Sequence, residues 1–243
     1  MNHSASLRAA LGEVPVVVRE SVALAPLTHV RIGGPSAFFV EALTLDGAAA
    51  TVRTCRELDV PLHVLGGGSN LLVADGGVEG VVMTLSRLDS LVRDGTAIAA
   101  GAGVSLASLM RGTREIGLAG LEVLCGVPAV VGGAVAMNAV TRGGSTFDVL
   151  ASVTIVDDTG EIRVLERGDL TPGYRDGGLG DFIVLERSSS CTKTTRRASM
   201  PASPIRCAAA MRPSPCLAAA SGACSRTPTA PPPDSSSRPP AAS

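Results

Sequence analysis

Residues 122–138 read EVLCGVPAVVGGAVAMN, residues 65–73 read LGGGSNLLV, and Tyr174–Arg175 lies within PGYRDGG at 172–178. In the first stretch Gly126, Pro128, Gly132, Gly133 and Asn138 lay out a rigid path with few side chains to obstruct a flat ligand. A buried loop whose glycines permit tight packing has the same composition, so chemistry alone leaves both readings open. In the second stretch Gly66, Gly67 and Gly68 let the backbone approach a bound group closely. Successive N–H groups and the Ser69 and Asn70 side chains can then hold phosphate oxygens. A plain turn is the competing reading of that loop.

Outward from these loops the chain alternates strand and helix signals. Residues 5–12 can start a short helix, and PVVVRES at 15–21 reads as a strand. HVRIGGPSAFFVEA at 29–42 is expected to form two short strands around Gly33, Gly34 and Pro35. Leu45, Ala49, Val52 and Leu58 share a helical face, and PLHVLG at 61–66 follows as a short buried strand. GVEGVVMTL at 77–85 is a further strand, and Asp94–Gly95 is expected to turn a hairpin within 91–104. A helix from about Ser105 to Glu115 comes next. Residues 150–166 form a second hairpin around Asp158, Thr159 and Gly160, and GDFIVLE at 180–186 is the last strand expected.

Composition divides at Glu186. Before it, Val, Leu, Ile and Ala runs alternate with Gly-rich turns, as in an α/β or α+β protein able to bury a core. From Arg187 to Ser243 one acidic residue, Asp234, stands against Lys193 and seven arginines, and Pro, Ser and Ala dominate with no aromatic. That composition predicts a disordered tail over 187–243. The net charge of −1 therefore conceals an acidic front and a basic end. Without aromatics to stack bases, the basic end does not argue for nucleic acid.

Other classes fall away on specific grounds. GAGVSL at 101–106 lacks the third glycine of a dinucleotide fingerprint and follows a hairpin strand, so a Rossmann reading is rejected. Cys191, Cys207, Cys216 and Cys224 match no zinc spacing, and with Cys55 and Cys125 they suggest neither a metal site nor a disulfide framework. The N-terminus has no apolar h-region, and the apolar stretch 118–137 is interrupted by Glu122, Pro128 and glycines. A cytoplasmic protein with no membrane partner is the expectation.

HVRIGG, VLGGGSNLLV and GLEVLCGVPAVVGGAVAMNA at 120–139 resemble, in order, three flavin-domain signatures of the UDP-N-acetylenolpyruvoylglucosamine reductase (UDP-N-acetylmuramate dehydrogenase) family. The resemblance implies an α+β fold with an FAD-binding domain of the vanillyl-alcohol-oxidase (PCMH) type. That domain consists of two small α+β subdomains with the cofactor between them, expected over 14–157, and a substrate-binding domain would start at 158–186. It implies FAD contacts from Arg31, Gly66, Gly67, Gly68, Ser69, Asn70, Leu71, Gly126, Pro128, Gly132, Gly133 and Asn138. Ala129, where glycine is usual, and VTRGG at 140–144 depart from the family pattern.

By the same resemblance Arg175 is the catalytic arginine that binds an enolpyruvyl carboxylate and stabilises the enolate, with Tyr174 bordering substrate and flavin. The implied reaction is NADPH-dependent reduction of UDP-N-acetylglucosamine enolpyruvate to UDP-N-acetylmuramate. A guanidinium suits that role, being permanently charged and able to meet a carboxylate with two parallel hydrogen bonds. Two rivals remain open: a flavin-binding remnant without turnover, and another FAD oxidoreductase of the same superfamily. A covalently flavinylated oxidase would need an attachment residue in its flavin loops, and only His29, His63, Cys55 and Cys125 are available within 14–157.

The family continues with a motif close to Gly-Ser-x-Phe-Lys-Asn-Pro-x-Gly-x-Ser-Ala-Gly-x-Leu-Ile, whose first serine donates a proton, and ends with a catalytic glutamate. Neither appears in this reading frame. Joining the third base of each codon to the next two allows Phe, Lys, Asn and Pro across Cys224 to Pro228. Continuing in register, Pro231 to Ala241 allows Ser-Ala-Gly-Gln-Leu-Ile-Glu-Ala-Ala-Gly. The tail therefore reads as a frameshift product, and the serine and glutamate have no counterparts here.

Overall fold

The computed structural model describes residues 3–193. A first helix, α1 (His3–Gly12), precedes the edge strand β1 (Val16–Ala23), which pairs antiparallel with β2 (Pro35–Ala42). Helix α2 (Leu45–Glu57) starts where the Thr44 hydroxyl accepts the Gly47 N–H at 3.0 Å. Its buried Ala48, Val52 and Cys55 recur at helical spacing. It carries the chain across to β3 (Leu62–Leu65). Strand β4 (Val78–Thr84) then runs parallel to both β3 and β2, giving the order β1-β2-β4-β3. Parallel neighbours cannot be joined by a tight hairpin and need a connection of about a dozen residues. Here that connection is 66–77, and it begins with the glycine loop.

The second sheet is antiparallel throughout. Strands β5 (Leu91–Asp94) and β6 (Ala97–Gly101) form the expected hairpin, with Gly95 at φ +59° in its turn. Helix α3 (Leu106–Glu115) is capped by Ser105, whose hydroxyl accepts the Ser108 N–H at 3.1 Å. The short strand β7 (Leu118–Ala119), the single-turn helix α4 (Val131–Ala136) and the small hairpin β8 (Val140–Thr141) and β9 (Gly144–Ser145) follow. Strands β10 (Leu150–Val156), β11 (Ile162–Glu166) and β12 (Ile183–Ser190) complete a sheet in the order β11-β10-β12-β6-β5. A last strand, β13 (Thr192–Lys193), pairs with β7.

One apolar cluster joins the sheets: Val40, Val81 and Met83 of the first pack with Val156, Ile183 and Leu185 of the second. This α+β arrangement of two small units on a shared core fixes the glycine loop of one relative to α4 of the other.

Three expectations shift. Residues 29–34 form no strand, because Arg31 at φ +57° and Gly33 at φ +128° leave extended geometry. The boundary at 157/158 is not a break in the fold, since β11 and β12 pair directly onto β10 in the same sheet. Strand β12 also runs past Glu186 to Ser190, laddered to β6 and β10, so the packed structure does not end where the composition changes. The rest of the tail, 194–243, lies outside the described residues. No described helix is long and apolar enough to cross a membrane.

Candidate functional site

The two loops singled out from the sequence line one cleft of about 460 Å³. Gly67, Gly68, Ser69 and Asn70 contribute from the first unit, and 127–130 with Gly133, Ala134 and 137–140 contribute from the second. Tyr174 and Arg175 complete the lining. The two walls meet where the Asn70 Nδ2 lies 3.9 Å from the Met137 Sδ.

The glycine loop is clamped from behind. Gly68 takes φ +60°, and a Cβ there would lie 2.3 Å from the Leu27 carbonyl oxygen, so no side chain fits. The His29 N–H donates to the Gly68 carbonyl at 2.9 Å. Thr28 locks the clamp, its hydroxyl donating to the carbonyls of Ala25 and Ile32, each at 3.1 Å. Arg31 is exposed on this clamp and does not line the cleft.

Other residues expected at the cofactor lie beside the cleft. Gly66 is buried behind the loop, and Leu71 packs into the apolar cluster of Leu24, Phe39, Leu65, Val73 and Val82. Gly126 is exposed at φ +85° and is not in the lining. Gly132 turns the other way: a Cβ there would sit 2.9 Å from the Ala102 Cβ. Its smallness lets α4 pack on the end of β6, and its neighbour Gly133 faces the cleft.

Tyr174 and Arg175 occupy the tip of a tight turn closed by the Gly173 N–H, which donates to the Asp176 carbonyl at 2.8 Å. Arg175 takes φ +55°, a region that costs a non-glycine residue about 1 kcal/mol. Its guanidinium lies 5.9 Å from the Tyr174 ring centroid, within cation–π range. Tyr174 is 85 % exposed and presents that ring to the cleft. Among the described residues, Arg175 is the sole charged one in the lining. A concave, mostly apolar site with one fixed cation suits a flat ligand that carries an anionic group.

Similarity to known proteins agrees with this geometry. The FAD binding domain family matches residues 36–166. The chain belongs to the FAD-binding domain family, and the relatives that it resembles are UDP-N-acetylenolpyruvoylglucosamine reductases. It is 35% identical over 177 residues to the UDP-N-acetylenolpyruvoylglucosamine reductase of Listeria monocytogenes, covering 72% of this chain and 59% of that protein. Identity to the same enzyme of Geobacillus thermodenitrificans is 40% over 166 residues, 66% of this chain and 55% of that one. The crystal structure of the Thermus caldophilus reductase superposes with a TM-score of 0.59 at 33% identity, covering 73% of this chain and 62% of the other. A glucooligosaccharide oxidase from Acremonium strictum shares the fold alone, at 21% identity and a TM-score of 0.61. The chain thus spans less than two thirds of the length of the reductases it matches.

None of the candidate covalent attachment residues lines the cleft. Cys55 is buried in α2, where burial pushes its thiol up to about 12. Cys125 faces a separate cleft beside α3. Among the described residues no cluster of metal-ligating side chains occurs. The sequence reading missed Met137, Ala134 and Ala139 as wall residues. Small or flexible apolar side chains carry no local signal, and only the turn of α4 aims them at the cleft.

Proposed function

We propose that this chain derives from an FAD-dependent, NADPH-using reductase that converts UDP-N-acetylglucosamine enolpyruvate to UDP-N-acetylmuramate for peptidoglycan synthesis. The observation that carries the reading is the convergence of the glycine loop, the 127–139 segment and the Tyr174–Arg175 turn on one cleft. FAD fits the residues present. Gly67, Gly68, Gly133 and Ala134 leave room for a flat ring system and a close backbone approach, and the Ser69 and Asn70 side chains are exposed to bind polar atoms. When bound, FAD supplies the hydride chemistry that no side chain can.

The chain's own part is orientation and charge. Arg175 is placed to pair with the carboxylate of the enolpyruvyl group and to stabilise negative charge as it develops on the substrate. The Tyr174 ring beside it borders the substrate and limits its approach to one side. A nucleotide-sugar substrate and a nicotinamide donor fit a cytoplasmic setting.

A second reading, a flavin-binding remnant without turnover, is favoured by the change of composition after Glu186. The proton-donor serine and terminal glutamate of the family lie in the part that this reading frame lacks. One experiment separates the two. FAD titration of the 243-residue chain, followed by flavin fluorescence, tests the cleft, and NADPH oxidation dependent on the enolpyruvyl sugar tests turnover. Binding without turnover supports the remnant reading for this chain and the reductase reading for its parent. Absence of FAD binding overturns both.

A further inference from the structure

The turn that carries Tyr174 and Arg175 is tied to the end of α4 at both of its stems. On the incoming stem the Asn138 Nδ2 donates to the Gly173 carbonyl at 3.2 Å. On the outgoing stem the Gly177 N–H donates to the Ala136 carbonyl at 2.9 Å. Two positions on one short segment thus hold the residues that flank the turn. Gly177 has no room for a side chain, since a Cβ there would lie 2.5 Å from the Val135 carbonyl oxygen.

Asn138 itself is heavily constrained. It is 7 % exposed and takes φ +39°. Its Oδ1 accepts the Phe147 N–H at 3.4 Å while its Nδ2 is engaged with Gly173. Each end of the amide therefore already has a protein partner, although the residue forms part of the cleft wall.

We propose that Asn138 is a positioning residue: its amide fixes the Tyr174–Arg175 turn to the segment that walls the cleft, so that guanidinium and wall are held as one unit. The role of Arg175 toward an enolpyruvyl carboxylate rests on the reductase reading, whereas the brace does not. Asparagine suits the position because it tolerates positive φ and supplies a donor and an acceptor on one short side chain.

The test uses three variants of the full chain. Asn138→Gly keeps the backbone conformation and removes both side-chain bonds. Asn138→Asp keeps the acceptor for Phe147 but sets a carboxylate oxygen against the Gly173 carbonyl. Gly177→Ala displaces the other stem. Trypsin cleavage between Arg175 and Asp176 reports release of the turn, and cleavage between Arg93 and Asp94, a chemically matched bond in the β5–β6 hairpin, reports global loosening.

Each variant is expected to speed cleavage at Arg175 by roughly tenfold, the equivalent of one buried hydrogen bond, with no change at Arg93. Affinity for FAD should stay within about twofold in Gly177→Ala, whose site lies outside the cleft lining. Affinity for the enolpyruvyl UDP-sugar, followed by the change it causes in flavin absorbance, should fall by about tenfold if Arg175 is misplaced. The Asn138→Gly/Gly177→Ala double variant should be little worse than either single one, because both release the same turn. Loss of FAD binding in Asn138→Gly with unchanged cleavage at Arg175 would make Asn138 a cofactor ligand and overturn the proposal. Equal acceleration at Arg93, or none at either bond, would overturn it as well. If the unaltered chain binds no FAD, the reductase reading fails while the cleavage comparison still judges the brace.

Discussion

In the first half of β12, Ile183, Val184 and Leu185 are buried and feed two apolar clusters. In the second half Arg187 is just as buried, facing Val153 on one neighbouring strand and Ala100 on the other. Its Nε donates to the Ser189 hydroxyl at 2.6 Å, but its two terminal nitrogens have no partner among the described residues. Burial pushes its pKa down to about 10. Both halves keep their ladder bonds, because backbone pairing is nearly indifferent to side chain. Fit is not. A position between a valine and an alanine inside a sheet accepts an apolar side chain, and an unpaired guanidinium there costs several kcal/mol. The misfit begins at the first residue after Glu186, which supports the reading that the frame changes there.

Restoring the frame after Glu186 is the strongest way to test that contrast. If the missing serine and glutamate belong to the repaired sequence, NADPH oxidation with the enolpyruvyl sugar should rise by at least about 10² to 10⁴ over the 243-residue chain. Arg175→Ala in the repaired protein should remove most of that gain. Normal turnover by the unrepaired chain would show the catalytic groups to be misplaced.

Within the present chain, Arg187→Leu should stabilise and Leu185→Ala should destabilise, although both side chains are fully buried on the same strand. Each change is expected to be worth about 3 kcal/mol, or roughly 6–12 °C in Tm for a folded part of this size. Thermal unfolding reads both, and a loss of stability in Arg187→Leu would remove the misfit argument.

Gly68→Ala probes the region where sequence and structure agree. Positive φ together with contact at the Leu27 carbonyl should cost about 1–3 kcal/mol, seen as weaker FAD binding and a lower Tm. Gly126→Ala also carries a positive-φ penalty, yet its Cβ would meet nothing within 4 Å. It should leave FAD affinity nearly unchanged in the same titration.

The smallest effect lies at the β10–β11 turn. The Asp157 carboxyl is held below the usual range first by the Thr159 hydroxyl, at 2.6 Å, then by the Glu161 and Thr159 amides and Arg163. A depressed carboxylate pKa stabilises the fold above the unfolded value of about 3.9, and that contribution is lost as pH falls through the folded value. Thr159→Ala should therefore lower the Tm slightly at neutral pH, where that contribution is fully present, and the difference from the unaltered chain should shrink and vanish as pH falls through the folded value.

Local chemistry was readable in the chain itself. The face of Ala49 and Val52, the helix from about Ser105 to Glu115, the Asp94–Gly95 hairpin and the glycine loop all announced themselves, because each is set by neighbours a few residues away. Contacts across the sequence were not readable. Gly132 and Gly133 are identical in the chain, and only the packing of α4 on β6 makes one a spacer and the other a wall. Asn138 reaches Gly173 across thirty-five positions, and nothing in either residue foretells the partner. Burial of Arg187 is likewise decided by the strands on its two sides, since a ladder recruits residues by register before their side chains have been tested for fit.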